Sequence, residues 1–240
     1  MRLKLTLEYD GSGFYGWAAQ PGLRTVEGVL REVLDTVFPQ WSELAVAGRT
    51  DTGVHALAQA ASIGVEGGPP LDRVTEALNA ELPTDLAVTA VEPASADFHA
   101  RHSALARSYR YRVYRRRTPS PFEARRSWWF PRPLDEERLA EAADLLLGEH
   151  DFRAFTPTET HHQVFLRNVE SAVWHRRDDT LELEITADSF LRHMVRTLVG
   201  TMLEQTPEQI APLLDGGHRA DAGTTAPPWG LYLVAVRYAS

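Results

Sequence analysis

Residues 47–56 read Ala-Gly-Arg-Thr-Asp-Thr-Gly-Val-His-Ala, and apolar segments flank them at 44–47 and 54–65. The two apolar segments predict two strands, so the polar residues where they meet form a tight loop. Gly48 and Gly53 permit backbone angles that a Cβ would forbid, which suits a backbone that approaches a ligand closely. The loop presents one carboxylate, Asp51, two residues after the guanidinium of Arg49. The ordinary alternative is an Asx turn in which Asp51 caps its own backbone.

The residues around this loop predict the order strand, helix, strand, strand, helix, strand. Apolar residues alternate from Leu3 to Tyr9, which indicates a strand with one buried face. Thr25 is the expected N-cap of a helix that ends before Pro39. After the loop and its two strands, residues 71–82 predict a helix and residues 86–91 a strand. This order is the split βαβ arrangement of ferredoxin-like domains.

The second half of the chain repeats that order. Strands are predicted at 107–114, 164–174, 181–187 and 231–238, and helices at 134–147, 190–203 and 208–214. Asp135 is expected to open the first of these helices and Gly148 to close it. The fold class is therefore α+β, with two pseudo-duplicated ferredoxin-like lobes, at 1–96 and 97–240, whose sheets are mainly antiparallel. A central cleft that the lobes flank is the natural place for a ligand.

Composition excludes several classes of protein. The 240 residues are 43% hydrophobic, and no apolar run approaches the length that spans a bilayer. The first residues alternate like a strand and lack a signal-peptide core, so we expect a soluble, cytoplasmic protein without a membrane partner. The absence of cysteine excludes disulfides, thiolate metal sites and cysteine nucleophiles. His161 and His162 are adjacent and not at a helical ligand spacing, so no metal site is expected.

Positive charge is concentrated in one segment of an acidic chain. The net charge is −8, yet residues 101–126 hold nine arginines and a single acid, Glu123. A polyanion such as RNA is expected to bind such a face while the rest of the surface repels it. In a strand, Tyr109 and Tyr111 share one face and Arg110 and Arg112 the other. Rings beside guanidinium groups suit an unstacked RNA base and its phosphates, although tyrosines are also ordinary strand residues.

Two more stretches carry candidate residues. In the predicted helix at 190–203, Arg192 and Arg196 lie at the edge of an apolar stripe. A guanidinium there either pairs with a carboxylate, for which Asp51 is a candidate, or extends to solvent. The small and rigid residues at 222–231 either line a pocket, with Leu231 packed at the start of the last strand, or form a simple loop.

Four motifs in order resemble the tRNA pseudouridine synthase A family. They span almost the whole chain and read Gly48-Arg49-Thr50-Asp51 with Gly53-Val54-His55-Ala56, Phe98-His99-Ala100-Arg101 leading into Tyr109-Arg110-Tyr111, His193-Met194-Val195-Arg196, and Gly230-Leu231-Tyr232-Leu233. The resemblance implies an isomerase that converts uridine to pseudouridine in the anticodon stem-loop of tRNA, at positions 38, 39 and 40 in tRNA numbering. It also implies a two-lobed fold, a homodimer and no cofactor.

The resemblance assigns roles to five residues. Asp51 matches the catalytic aspartate, an essential nucleophile, and Arg196 the arginine that pairs with it. Tyr109 matches the tyrosine that lies against the target uracil. Arg49 matches the arginine that helps to hold the flipped nucleotide, and Leu231 an apolar residue of the pocket. The sequence does not choose between three chemical routes, which are attack at C6, attack at C1′ and proton loss at C2′. Two other classes of protein also stay open: a non-catalytic RNA-binding protein or chaperone, and a nucleoside hydrolase.

Overall fold

The computed structural model describes residues 1–160 and 162–239. The chain forms two units, Met1–Leu105 together with residues 233–239, and Ala106–Tyr232. These units differ from the contiguous 1–96 and 97–240 lobes expected from the sequence, because most of the last strand belongs to the first unit.

The first unit has the predicted ferredoxin-like order. Its strands pair antiparallel in the order β4-β1-β3, and β2 pairs with the other edge of β3. The elements are β1 (Arg2–Tyr9), α1 (Val26–Val37), β2 (Gln40–Val46), β3 (His55–Glu66), α2 (Leu71–Glu81) and β4 (Leu86–Ala94).

Local sequence explains these elements. Leu3, Leu5 and Leu7 are fully buried while the residues between them are not, as the alternation predicts. Thr25 caps α1, since its hydroxyl accepts a hydrogen bond from the Gly28 N–H at 3.2 Å. Residues 47–54 connect β2 to β3, so the loop with Asp51 sits at the end of an antiparallel hairpin.

The second unit contains the same order of strand, helix, two strands and helix as the first, with the short elements β6, β7 and α5 added. Its strands pair antiparallel in the order β5-β9-β8-β7, with the two-residue β6 parallel to β5. The elements are β5 (Ala104–Tyr114), β6 (Trp128–Trp129), α3 (Glu136–Asp144), β7 (Gly148–Asp151), β8 (Leu166–Arg177), β9 (Thr180–Ala187), α4 (Met194–Glu204) and α5 (Pro207–Ile210). The last strand, β10 (Leu231–Tyr238), begins in this unit, and its residues from 233 onward belong to the first unit. The predicted α+β class with two lobes of mainly antiparallel strands is confirmed.

Some predicted boundaries are wrong. The fourth helix begins at Met194 and not at residue 190, because His193 has a left-handed backbone (φ 62°) that a helix does not accommodate. Arg192 therefore precedes the helix and does not share its edge with Arg196. Helix α3 ends at Asp144, and Gly148, expected only to close it, begins the unpredicted strand β7.

Candidate active site

The loop that presents Asp51 is closed by its own backbone. The Val54 N–H donates to the Asp51 carbonyl oxygen at 3.1 Å, and Gly53 adopts a φ of 79°, which favours glycine. Asp51 is partly exposed, and Arg49 is exposed. The loop thus offers a carboxylate and a guanidinium at the surface of the first unit.

The segment 10–17, which follows β1, lies directly against this loop. The Trp17 N–H donates to the Thr50 carbonyl at 3.0 Å, and the Gly53 N–H donates to the Phe14 carbonyl at 3.3 Å. A Cβ on Gly16 would come within 2.9 Å of the same Thr50 oxygen. No role for this segment is predicted from the sequence, although its glycines at 11, 13 and 16 are a signal of close backbone approach.

His55 fixes the start of the same segment. Its imidazole is buried, and Nδ1 accepts a hydrogen bond from the Gly11 N–H at 3.0 Å. A Cβ on Gly11 would lie 2.0 Å from the Val54 carbonyl oxygen, so only glycine fits there. The backbone on both sides of Asp51 is therefore held by contacts within the first unit.

Tyr109 lies on β5 in the second unit. Its side chain is 8% exposed, and its ring stands edge-on to Phe190, with the ring centroids 5.0 Å apart. Tyr111, on the same strand face, is fully buried, and its hydroxyl donates to the Pro227 carbonyl at 2.8 Å. Burial raises the pKa of Tyr111 well above its usual value, against the smaller opposite effect of the Arg196 charge. Tyr109 and Tyr111 therefore share one face of β5, as the alternation predicts, and Tyr111 is buried inside the unit.

The opposite face of β5 is less positive than its own sequence indicates. Arg110 contacts Glu184 at 2.9 Å, and Arg112 contacts Glu182 at 3.1 Å. Both acids lie on β9, which the antiparallel register places directly across from β5. The positive charge expected on this face is therefore paired with acids of the neighbouring strand, which lie outside residues 101–126.

Arg196 lies in the first turn of α4 and connects this helix to the loop before β10. Its Nε donates to the Ala226 carbonyl at 2.8 Å, and the Ala226 N–H donates back to the Arg196 carbonyl at 3.1 Å. The side chain is partly exposed. The Nε bond fixes the guanidinium, so the alternative in which Arg196 merely extends to solvent does not describe it.

Leu231 begins β10 and is 6% exposed. It follows Gly230, where a Cβ would lie 2.6 Å from the ring of Tyr111. The residues at 222–231 therefore form more than a simple loop, since they pack on both Tyr111 and α4.

We expect Gly200→Ala to destabilise the protein. A Cβ at residue 200 would lie 1.7 Å from the Thr224 carbonyl oxygen, so α4 and the loop that holds Arg196 must separate. The expected loss in the free energy of unfolding is about 2–3 kcal/mol, measured by urea denaturation. A loss below about 0.5 kcal/mol would contradict this packing.

The structure brings the predicted residues to two places. Asp51 and Arg49 share one loop of the first unit, and Tyr109, Arg196 and Leu231 belong to the second unit.

Across residues 1–160 and 162–239, no group of three or more His, Asp or Glu side chains is arranged to hold a metal ion. Of the adjacent histidines, His161 lies outside the described residues. Within the same described ranges, every helix is too short or too polar to cross a membrane.

Comparison with known proteins gives matches along the whole chain. A family model described as tRNA pseudouridine synthase matches residues 6–103 and 142–239. A Bacillus subtilis protein named tRNA pseudouridine synthase A is 39% identical, with 99% of each chain covered. Proteins of the same name from Solibacter usitatus and Caldicellulosiruptor bescii are 38% and 34% identical, over 99% and 98% of each chain respectively.

Proposed function

The chain belongs to the tRNA pseudouridine synthase family, and from this premise we propose that it isomerises uridine to pseudouridine in the anticodon stem-loop of tRNA, at positions 38, 39 and 40, with Asp51 as the nucleophile. The observation that carries the proposal is the loop at 47–54. It presents a partly exposed carboxylate whose backbone is held by Trp17, Phe14 and Val54. A fixed carboxylate is what a covalent or charge-stabilising role at a sugar or base carbon needs.

The reaction rearranges one nucleotide without a net change in composition. The bond between ribose C1′ and uracil N1 breaks, the base rotates, C5 bonds to C1′, the C5 proton leaves, and N1 gains a proton. Oxidation states balance without a redox partner or a group donor. Asp51 either adds to an electron-poor carbon of the nucleotide or stabilises the cationic character that develops at C1′.

The other candidate residues have supporting roles in this proposal. A base in a helical stem must leave its stack to be reached, and Tyr109 supplies a ring for the extruded uracil. Arg196 is the proposed charge partner of the nucleophilic carboxylate, because it matches the family arginine in that role. Arg49 holds a phosphate of the extruded nucleotide, and Leu231 supplies an apolar wall of the pocket. What supports these roles is the match to the family motifs and the fixed geometry of Arg196 and Tyr109.

Exposed arginines of the basic segment are the proposed phosphate contacts. Arg115 is paired with Glu136, whereas Arg116 and Arg117 are exposed. We expect the double substitution of Arg116 and Arg117 by Ser to weaken tRNA binding and to reduce the slope of log K against log salt by about 2. The measurement is a salt titration of tRNA binding with a fluorescently labelled transcript.

Arg73→Ser serves as the matched control for this charge removal. Arg73 is an exposed arginine of α2 that pairs with Glu76 on the same helix. Its substitution is expected to leave the slope unchanged. A slope that does not respond to the double substitution would place the RNA on another surface.

A digest of treated RNA tests the proposed function against its two alternatives. An unmodified anticodon stem-loop transcript is incubated with the protein, digested to nucleosides, and separated by chromatography. The isomerase is expected to convert uridine to pseudouridine at constant RNA mass and to release no uracil. Binding without conversion would indicate a non-catalytic RNA-binding protein, and free uracil would indicate a hydrolase.

We extend the proposal to assembly and place of action. The family resemblance implies a homodimer, and a tRNA substrate implies the cytoplasm. Sedimentation equilibrium measures the mass of the assembly in solution. A mass of 26.8 kDa, which is that of one chain, would contradict the homodimer.

A further inference from the structure

A buried group of polar side chains lies beneath the loop that presents Asp51. Tyr9 is 5% exposed, Thr50 is 7% exposed, and Gln59 is fully buried. Polar groups taken out of water destabilise a fold unless they are hydrogen-bonded. Hydrogen bonds join Tyr9 to both Thr50 and Gln59, so each side chain has a defined position.

The hydroxyl of Tyr9 is the centre of the group. It lies 2.8 Å from the Thr50 hydroxyl, and it accepts a hydrogen bond from Gln59 Nε2 at 3.3 Å. Gln59 Nε2 also donates to the Gly48 carbonyl at 2.8 Å. One connected set of bonds therefore reaches the chain at residues 48 and 50, just before Asp51.

The Tyr9 hydroxyl is protonated within this group. Burial raises the pKa of Tyr9 to about 12, although its bonds to Thr50 and Gln59 act in the opposite direction. The phenol therefore keeps its proton at neutral pH. Its oxygen accepts from Gln59, and either hydroxyl can donate in the bond between Tyr9 and Thr50.

The ring of Tyr9 is itself fixed. Its centroid lies 6.3 Å from that of Phe14 and 6.2 Å from that of Trp17. Trp17 also holds the Thr50 carbonyl through its backbone N–H. Thr50 is thus held at its side chain by Tyr9 and at its carbonyl by Trp17, and that carbonyl belongs to the peptide group that joins it to Asp51.

We infer that Tyr9 is a positioning residue for the reaction, which holds Asp51 in its productive place through hydrogen bonds to Thr50 and Gln59. The inference rests on the proposed function, because it assigns Tyr9 a task only if Asp51 acts on the nucleotide. A small displacement of a reacting group lowers the rate of the chemical step without weakening substrate binding.

The test replaces Tyr9 by Phe, which removes the hydroxyl and keeps the ring. We expect kcat for pseudouridine formation to fall about tenfold or more while KM for tRNA changes less than about twofold. Thr50→Val should give a loss of similar size, and Thr50→Ser, which keeps the hydroxyl, should retain most of the rate. The Tyr9→Phe/Thr50→Val double variant should lose little more than either single variant, because both remove the same bond.

Tyr238→Phe is the matched control. It removes another phenol hydroxyl of the first unit, which donates to the Ala100 carbonyl at 2.8 Å. Its kcat is expected to match that of the unchanged protein even where its melting temperature falls. A merely structural role for Tyr9 predicts the same pattern for Tyr9→Phe.

The outcomes separate the inference from the proposed function. No pseudouridine from the unchanged protein would contradict the proposed function itself. A normal rate from the unchanged protein together with unaltered kcat in Tyr9→Phe would overturn the inference alone. Should Tyr9→Phe fail to fold, the two Thr50 variants decide, and equal rates for Thr50→Val and Thr50→Ser would overturn it.

Discussion

Replacing Asp51 by Asn is expected to abolish pseudouridine formation, with a loss in kcat of at least about a thousandfold. Asn keeps the size and polarity of the side chain but carries no negative charge, so it can neither attack a carbon nor stabilise a cationic sugar. Binding of tRNA should stay within about tenfold, because phosphate contacts dominate affinity. The measurement is tritium release from C5-labelled uridine in tRNA, which reports loss of the C5 proton.

Asp72→Asn is the control for the loss of charge. Asp72 lies in the first turn of α2, in the same unit as Asp51, and its side chain is exposed. Its substitution removes the same charge and should leave turnover unchanged. Retained tritium release by Asp51→Asn would refute the assignment of the nucleophile.

Arg196→Lys is expected to give the second largest loss, about a hundredfold in kcat. The guanidinium donates to the Ala226 carbonyl through Nε. A guanidinium is a planar fork of several N–H donors, so it can hold a second acceptor in a fixed direction at the same time. A lysine ammonium carries the same charge but lacks this fork, so it cannot hold the loop carbonyl and the proposed carboxylate in the same way. Single-turnover kinetics with saturating protein measure the chemical step directly.

Arg192→Lys is the matched control for Arg196→Lys. Arg192 is exposed and precedes the helix, and it keeps its charge after the substitution. We expect its rate to match that of the unchanged protein. A rate for Arg196→Lys within about threefold of the unchanged rate would show that the fork is dispensable.

Regular elements with a strong local pattern could be predicted from the sequence. The strand β1 and the helix α1 match their predicted bounds closely, because alternation, helical spacing and the Thr25 cap all act within a few residues. The hairpin that carries Asp51 was predicted for the same reason. The last strand, Leu231–Tyr238, has its predicted bounds.

Features that depend on distant residues could not be predicted. The left-handed His193 shortens α4, although the apolar spacing continues through it to Leu191. The pairing of Arg110 and Arg112 with β9 depends on a strand register, which charge counting along the chain does not contain. The short strand β7 pairs with β8, and a long connection separates the two strands along the chain.

In the candidate site, too, the local residues could be predicted and the contacts with distant residues could not. The sequence motifs make Asp51 and Arg49 candidates, yet contacts that hold their loop come from Tyr9, Phe14 and Trp17, more than thirty residues earlier. A single sequence indicates which residue types lie in a loop. It does not indicate which distant side chains determine where that loop sits.

The most direct test of the central claim is a map of pseudouridine at nucleotide resolution in unmodified tRNA after incubation with the purified protein. Chemical labelling followed by reverse transcription reads each converted position. We predict new pseudouridine in the anticodon stem-loop at positions 38, 39 and 40 with the unchanged protein, and none with Asp51→Asn. A tRNA that binds the protein and yet carries no new pseudouridine would contradict the account.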